Sequence, residues 1–176
     1  QVADFTIRPA EPRDLPGILA IYALAVETGL ASFELAAPDL DEMTRRHAAI
    51  VGAGFPYLVA ERDGAVLGYS YAGPYRPRPA YRFTVENSVY VAETARGQGV
   101  GRALIAALIE ACAARGVRQM VAVIGDSAND ASIRLHASAG FEHAGLMRSV
   151  GFKFGRWVDS VLMQRPIGAG DATLPG

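Results

Sequence analysis

Three glycines fall within five residues in the run Arg96-Gly97-Gln98-Gly99-Val100-Gly101, between an alternating apolar stretch from Val85 to Val91 and a strongly helical one from Arg102 to Arg115. That order commits this part of the chain to a strand, a tight loop and a helix. Glycines let the backbone approach an anion closely and turn several N–H groups toward it, and the N-terminus of the following helix adds positive potential. The run therefore reads as a pyrophosphate cradle, with a ligand-free strand-to-helix turn as the alternative. Two familiar phosphate loops fail at named positions. A dinucleotide fingerprint would need glycine where Arg102 stands, and G-x-x-x-x-G-K-[ST] occurs nowhere.

With 176 residues, 51% of them hydrophobic, the chain can bury one sizeable core, so a single domain is expected over residues 1–167. A formal net charge of −1 lacks the basic excess of a nucleic-acid footprint. Small-molecule partners are the expectation. The only cysteine, Cys112, lies on the apolar face Leu104, Leu108, Cys112 and reads as a core thiol rather than a nucleophile; its solitude suits a reducing compartment. No apolar run approaches the roughly 18 residues of a membrane helix, and the start shows no basic-then-apolar signal pattern. A cytoplasmic location without membrane partners follows as an expectation.

Along the chain, Phe5 to Arg8 reads as a strand, with Asp14 capping a helix that presents Leu15, Ile18, Ile21, Tyr22, Ala25 and Val26. Pro38-Asp39 opens a second helix with Leu40, Met43, His47 and Ile50 on one stripe. Tyr57 to Glu61 and Val66 to Tyr71 flank Asp63-Gly64, a strong hairpin signal. Pro74 to Arg82 reads as a surface loop. After the glycine run come a strand from Gln119 to Ile124, a helix from Asn129 to Ala139 closed by Gly140, and strands from Phe141 to Val150 and Arg156 to Gln164. Residues 168–176 read as a frayed, flexible tail.

The loop fits [QR]-x-x-G-x-[GA] through Arg96, Gly99 and Gly101, and there the chain resembles the GNAT N-acetyltransferases. The resemblance spans about residues 5 to 165. It narrows to the phosphinothricin and methionine-sulfoximine acetyltransferases through Thr84-Val85-Glu86-Asn87-Ser88-Val89-Tyr90-Val91, Ala122-Val123-Ile124, Asn129, Ser132-Ile133-Arg134-Leu135-His136 and Gly151-Phe152-Lys153-Phe154-Gly155-Arg156-Trp157. It implies an α/β (α+β) fold in which a mixed central sheet, flanked by helices, splays open where acetyl-CoA enters. It also implies direct transfer of acetyl to the α-amine of a small amino-acid-like acceptor. A peptide N-terminus or polyamine is the alternative acceptor, and a non-catalytic acetyl-CoA-binding module the alternative role.

Under that resemblance, Glu86 is the general base for a protonated amine, or else a strand-surface glutamate. Val89, Tyr90 and Val91 supply backbone contacts to the pantetheine arm and thioester. The N–H groups of Gly97, Gln98, Gly99, Val100, Gly101 and Arg102 hold pyrophosphate beside Arg96, while Asn129 contacts the pantetheine amides or caps its helix. His136 occupies the slot of a thiolate-protonating group, with a packed helix-face histidine as the equal alternative. Phe33 is an aromatic pocket wall or core. Asn87 and Ser88 flank the acceptor, and Arg76, Arg78 and Arg82 form either a carboxylate-binding fork or a solvated loop. Lys153 and Trp157 approach the pocket from the same or a second subunit of a homodimer. His47, His136 and His143 show no metal-ligand spacing, so no metal is expected. Gly125-Asp126-Ser127 lacks the G-x-S-x-G of a serine hydrolase and reads as a turn.

Overall fold

The computed structural model describes residues 4–176. Its elements are β1 (Thr6–Pro9), α1 (Leu15–Thr28), α2 (Leu40–Gly52), β2 (Tyr57–Arg62), β3 (Ala65–Pro74), β4 (Thr84–Val91), α3 (Val100–Ala114), β5 (Gln119–Gly125), α4 (Asp130–Ser138), β6 (Glu142–Lys153) and β7 (Arg156–Pro166). One seven-stranded mixed sheet runs β1-β2-β3-β4-β5-β7-β6, as expected for an α/β fold. Among the described residues, only β4 and β5 pair in parallel, joined through α3.

Strand periodicity divides the core into two layers, because successive side chains face opposite ways. Leu58 and Ala60 of β2 join Leu104, Ile105, Leu108 and Cys112 of α3 beneath one face. Tyr57 and Val59 join Leu15, Ile18, Tyr22 and Val26 of α1 and Met43 of α2 on the other. The sheet is thus covered by helices on both sides.

Several local signals hold. Asp39 caps α2 by accepting the Glu42 N–H at 2.8 Å, and Asp63 and Gly64, at φ 50° and 80°, make the β2–β3 turn. Other readings need correcting. Asp14 does not cap α1 with its side chain; its carboxylate receives the Arg8 guanidinium at 2.8 Å and the Glu11 N–H at 2.7 Å. That Arg8 ion pair holds the Asp14 carboxyl below the usual range. Leu40 is exposed although Met43 and His47 on its stripe are buried. The segment after Ile167, read as a frayed tail, folds back. Arg118 donates to the Gly170 carbonyl at 2.8 Å and to the Thr173 carbonyl at 3.0 Å.

Candidate active site

The parallel register between β4 and β5 runs from Thr84 opposite Gln119 to Asn87 opposite Ala122 and then stops. From Ser88 to Val91 the strand keeps its β3 partners but has none on the β5 side. The sheet is therefore split at its centre, and the backbone of Ser88 to Val91 lines the split. Buried backbone groups demand partners, so this edge is suited to an amide-bearing ligand.

Alternation along β4 sends Glu86, Ser88 and Tyr90 toward the α1 face, and Asn87, Val89 and Val91 toward the α3 face. A cavity of about 290 Å³ opens at the split, lined by Glu86, Asn87, Ser88, Val89, Tyr90, Phe33, Tyr22, Tyr71, Asn129 and His136 among others. Glu86 is half-buried, and burial raises its pKa above the usual glutamate value, with Arg76 pulling the other way. A carboxylate that holds a proton more readily than usual, beside an unpartnered strand edge, can accept one from a bound amine.

Of the three arginines expected near the acceptor, none lines this cavity. Arg76 lies over the Tyr75 ring at 5.0 Å, Arg82 lies over Phe83 at 4.5 Å, and Arg78 is exposed. The prolines at 74, 77 and 79 carry this loop across the surface. The fork is thus not assembled, and only Arg76 acts electrostatically on Glu86.

A second groove of about 990 Å³ shares Ala31, Val89, Tyr90, Asn129 and Ser132 with the cavity and runs past Val91, Arg96, Gly97, Gly99, Val100, Gly101 and Arg102. Gly97 and Gly99 sit at φ 75° and 81°, and a Cβ on either would meet nothing within 4 Å. Both therefore border open space. Among the described residues, no N–H from Gly97 to Arg102 has a backbone acceptor. Such a row of free donors at the start of α3 fits a pyrophosphate. Gly101 serves differently, because a Cβ there would lie 3.1 Å from Leu135 of α4. The Gln98 side chain is also turned aside, donating to the Thr94 carbonyl at 3.1 Å and accepting from Arg62 at 2.8 Å.

Asn87, expected against the acceptor, lines the cavity, and its amide turns to the α3 face. There it meets His136 Nε2 at 3.2 Å and Met120 Sδ at 3.7 Å. His136 Nδ1 lies 2.8 Å from the Ser132 carbonyl, which can only accept, so Nδ1 carries the proton in the neutral ring and Nε2 receives the Asn87 N–H. Burial also lowers the His136 pKa. In that neutral form the ring carries no proton on Nε2. Asn129 caps α4, accepting from the Ser132 N–H at 3.3 Å, and still lines both cavities.

Tyr22, Tyr71 and Ser160 line the cavity without having been singled out from the sequence. Tyr22 hydrogen-bonds Ser32 Oγ at 2.9 Å and Glu34, which in turn pairs with Arg46 at 2.7 Å. A tyrosine on an inward helix face is the signal that could have exposed this network, since a buried phenol needs a partner. Lys153 does not reach the cavity; it is buried and donates to the Ser32 carbonyl at 2.8 Å. Trp157 is exposed and stacks edge-on with Phe152. Among the described residues, no cluster of three or more His, Cys, Asp or Glu is placed to hold a metal ion, and no helix is long and apolar enough to cross a membrane.

Comparison with known proteins gives this geometry a family. The model of the acetyltransferase (GNAT) domain matches residues 7–162. Phosphinothricin N-acetyltransferase of Alcaligenes faecalis is 60% identical over 170 residues, covering 97% of this chain and 86% of the relative. An L-methionine sulfoximine/L-methionine sulfone acetyltransferase of Pseudomonas aeruginosa is 47% identical over 160 residues, 90% of this chain and 92% of the relative. The crystal structure of a GNAT superfamily phosphinothricin acetyltransferase from Sinorhizobium meliloti in complex with AcCoA superposes with a TM-score of 0.94 at 48% identity, covering 98% of this chain and 94% of that one. Since the family match spans all but the ends of the described sheet, the chain belongs to the GNAT acetyltransferases and the protein is an acetyltransferase.

Proposed function

We propose that the protein moves the acetyl group of acetyl-CoA to the α-amine of a small amino-acid-like acceptor of the phosphinothricin or methionine sulfoximine type. The observation that carries this reading is Glu86, a carboxylate with raised proton affinity that lines a cavity walled by Phe33, Tyr22 and Tyr71, next to the groove of the free-donor loop. The relatives named for those acceptors support it.

Bound acetyl-CoA supplies an acyl carbon activated by a thiol leaving group. The donors from Gly97 to Arg102 hold its pyrophosphate, and the open edge of β4 at Val89, Tyr90 and Val91 holds the pantetheine arm. A backbone N–H on that edge meets the oxyanion as the C–N bond forms, with no reorganisation. Glu86 takes the ammonium proton, directly or through one water. As the C–S bond breaks, the nitrogen releases its second surplus proton to solvent and the departing thiolate takes one from solvent, because His136 serves to hold Asn87 rather than to donate. Arg76 acts here only through its charge on Glu86, since no arginine of the loop lines the cavity.

CoA thiol release with L-phosphinothricin, L-methionine sulfoximine, a short peptide and spermidine, run in parallel, tests the proposal. Turnover with either amino-acid analogue is expected, and Cys112→Ser should keep it. Burial pushes the Cys112 thiol up to about 11, so it cannot serve as a thiolate nucleophile at neutral pH. Turnover restricted to peptide or spermidine would overturn the acceptor, and loss of turnover in a folded Cys112→Ser protein would overturn direct transfer. Binding of acetyl-CoA without thiol release would favour a non-catalytic module.

We also propose that the protein is a cytoplasmic homodimer. Leu146, Met147, Val150, Phe152, Phe154 and Trp157 are all exposed on the β6–β7 hairpin, an apolar element of the kind that a second copy covers. A monomeric mass by sedimentation at micromolar protein would overturn the dimer.

A further inference from the structure

The loop from Gly29 to Asp39, between α1 and α2, forms one wall of the cavity through Ala31 and Phe33. It has no regular secondary structure to hold it, yet it is fastened on several sides. Its start lies on the end of β5, where a Cβ on Gly125 would come within 2.5 Å of the Leu30 carbonyl oxygen. Ser32 and Glu34 hydrogen-bond Tyr22 of α1, and Glu34 pairs with Arg46 of α2.

The fastening from below comes from β6, remote in sequence. Its register shifts between Met147 and Gly151, where Ser149 adopts φ 54° and its N–H is held by Asp159 at 2.9 Å. Such a bulge re-aims the strand that follows it. Beyond it, Gly151 lies directly beneath the Phe33 ring, since a Cβ there would stand 2.7 Å from Phe33 Cε2. Two residues on, Lys153 is 2% exposed, donates to the Ser32 carbonyl at 2.8 Å and lies 5.1 Å from the Phe154 ring centroid. Burial of so costly a cation is sustained by that carbonyl and by the nearby Glu34 charge.

We propose that Lys153 and Gly151 are positioning residues for acceptor recognition. Lys153 pins the Ser32 carbonyl, and Gly151 leaves the space in which the Phe33 ring lies, so the β6–β7 hairpin sets the place of the aromatic wall. This rests on the reading of the cavity as the acceptor pocket. Neither residue lines the groove assigned to acetyl-CoA, which the loop borders only through Gly29, Leu30 and Ala31, whereas Phe33 lines the cavity alone, so their loss should be felt mainly by the acceptor.

The test compares Lys153→Met, Gly151→Ala, Phe33→Ala and the Gly151→Ala/Phe33→Ala double variant with the wild-type protein. Lys153→Met and Gly151→Ala should each raise the acceptor KM by about five-fold or more while the acetyl-CoA KM stays within about two-fold, the signature of a misplaced binding wall. Gly151→Ala should add nothing in the Phe33→Ala background, because its effect passes through that ring. Equal rises in both KM values, or an unchanged acceptor KM, would overturn the proposal. Hydrogen exchange separates this from failure of the acceptor reading, because Lys153→Met should speed exchange at residues 31–34 whatever the acceptor proves to be. Unchanged exchange there would overturn the role of Lys153 even in an active enzyme.

Discussion

Glu86→Gln lowers kcat by about 10²- to 10⁴-fold, the usual contribution of a positioned general base, while acetyl-CoA binding stays near its wild-type strength. The separation follows from position. Glu86 faces the α1 side of β4 and lines the cavity, whereas the free donors from Gly97 to Arg102 lie along the groove. Burial raises the Glu86 pKa, so the acid limb of the wild-type kcat/KM profile should lie above the ordinary glutamate range, and Gln should abolish that limb. Stability moves the other way. A folded-state pKa above the unfolded value means that the native protein binds more protons in that window, so stability falls as pH rises through it. Gln removes the charge, and the melting temperature at neutral pH should hold or rise. Steady-state profiles and melts across pH check both; an unchanged acid limb in Glu86→Gln would remove this residue as the base.

Gly99→Val weakens acetyl-CoA binding by about 100-fold or more. Gly99 caps α3 at φ 81° in the left-handed region. A β-branched residue held there costs about 1 to 3 kcal/mol, so the free loop relaxes away from this conformation and binding must restore it, which divides affinity by up to about 5 to 150. Valine also projects into the open space that the loop borders, where the anion would lie. Calorimetric titration with acetyl-CoA measures the loss. A Val variant that binds normally would show that the groove holds its ligand elsewhere. Gly101 makes a useful contrast, because its substitution presses on Leu135 and should cost stability as well as binding.

Local chemistry was readable wherever it acts within a turn or two. Asp39 before α2, Asn129 before α4, Asp63-Gly64 between β2 and β3, and the glycines after β4 each satisfy or redirect nearby backbone groups, and each stands where its residue type predicted. Glu86 was legible because alternation along β4 is a local property. The arginines were a different case. Their charge was visible, but the prolines between them lead the loop over the surface, and no local rule says which way a loop will turn.

The sequence by itself thus determined most of the elements, the glycine loop before α3 and the strand that carries Glu86, because helix caps, turns and strand periods depend on neighbours in the chain. Only the tertiary structure decided what those elements meet. Placing β7 between β5 and β6 brings the far end of the chain under the Phe33 loop, and it sets Lys153 against a carbonyl 121 residues away. The same closure put Asn87 on His136, 49 positions distant, and so set a candidate acid against an amide. Such pairings depend on strand order and on which face of the sheet a residue takes. Those are set by burying two apolar layers at once, a global condition that no stretch of sequence expresses alone.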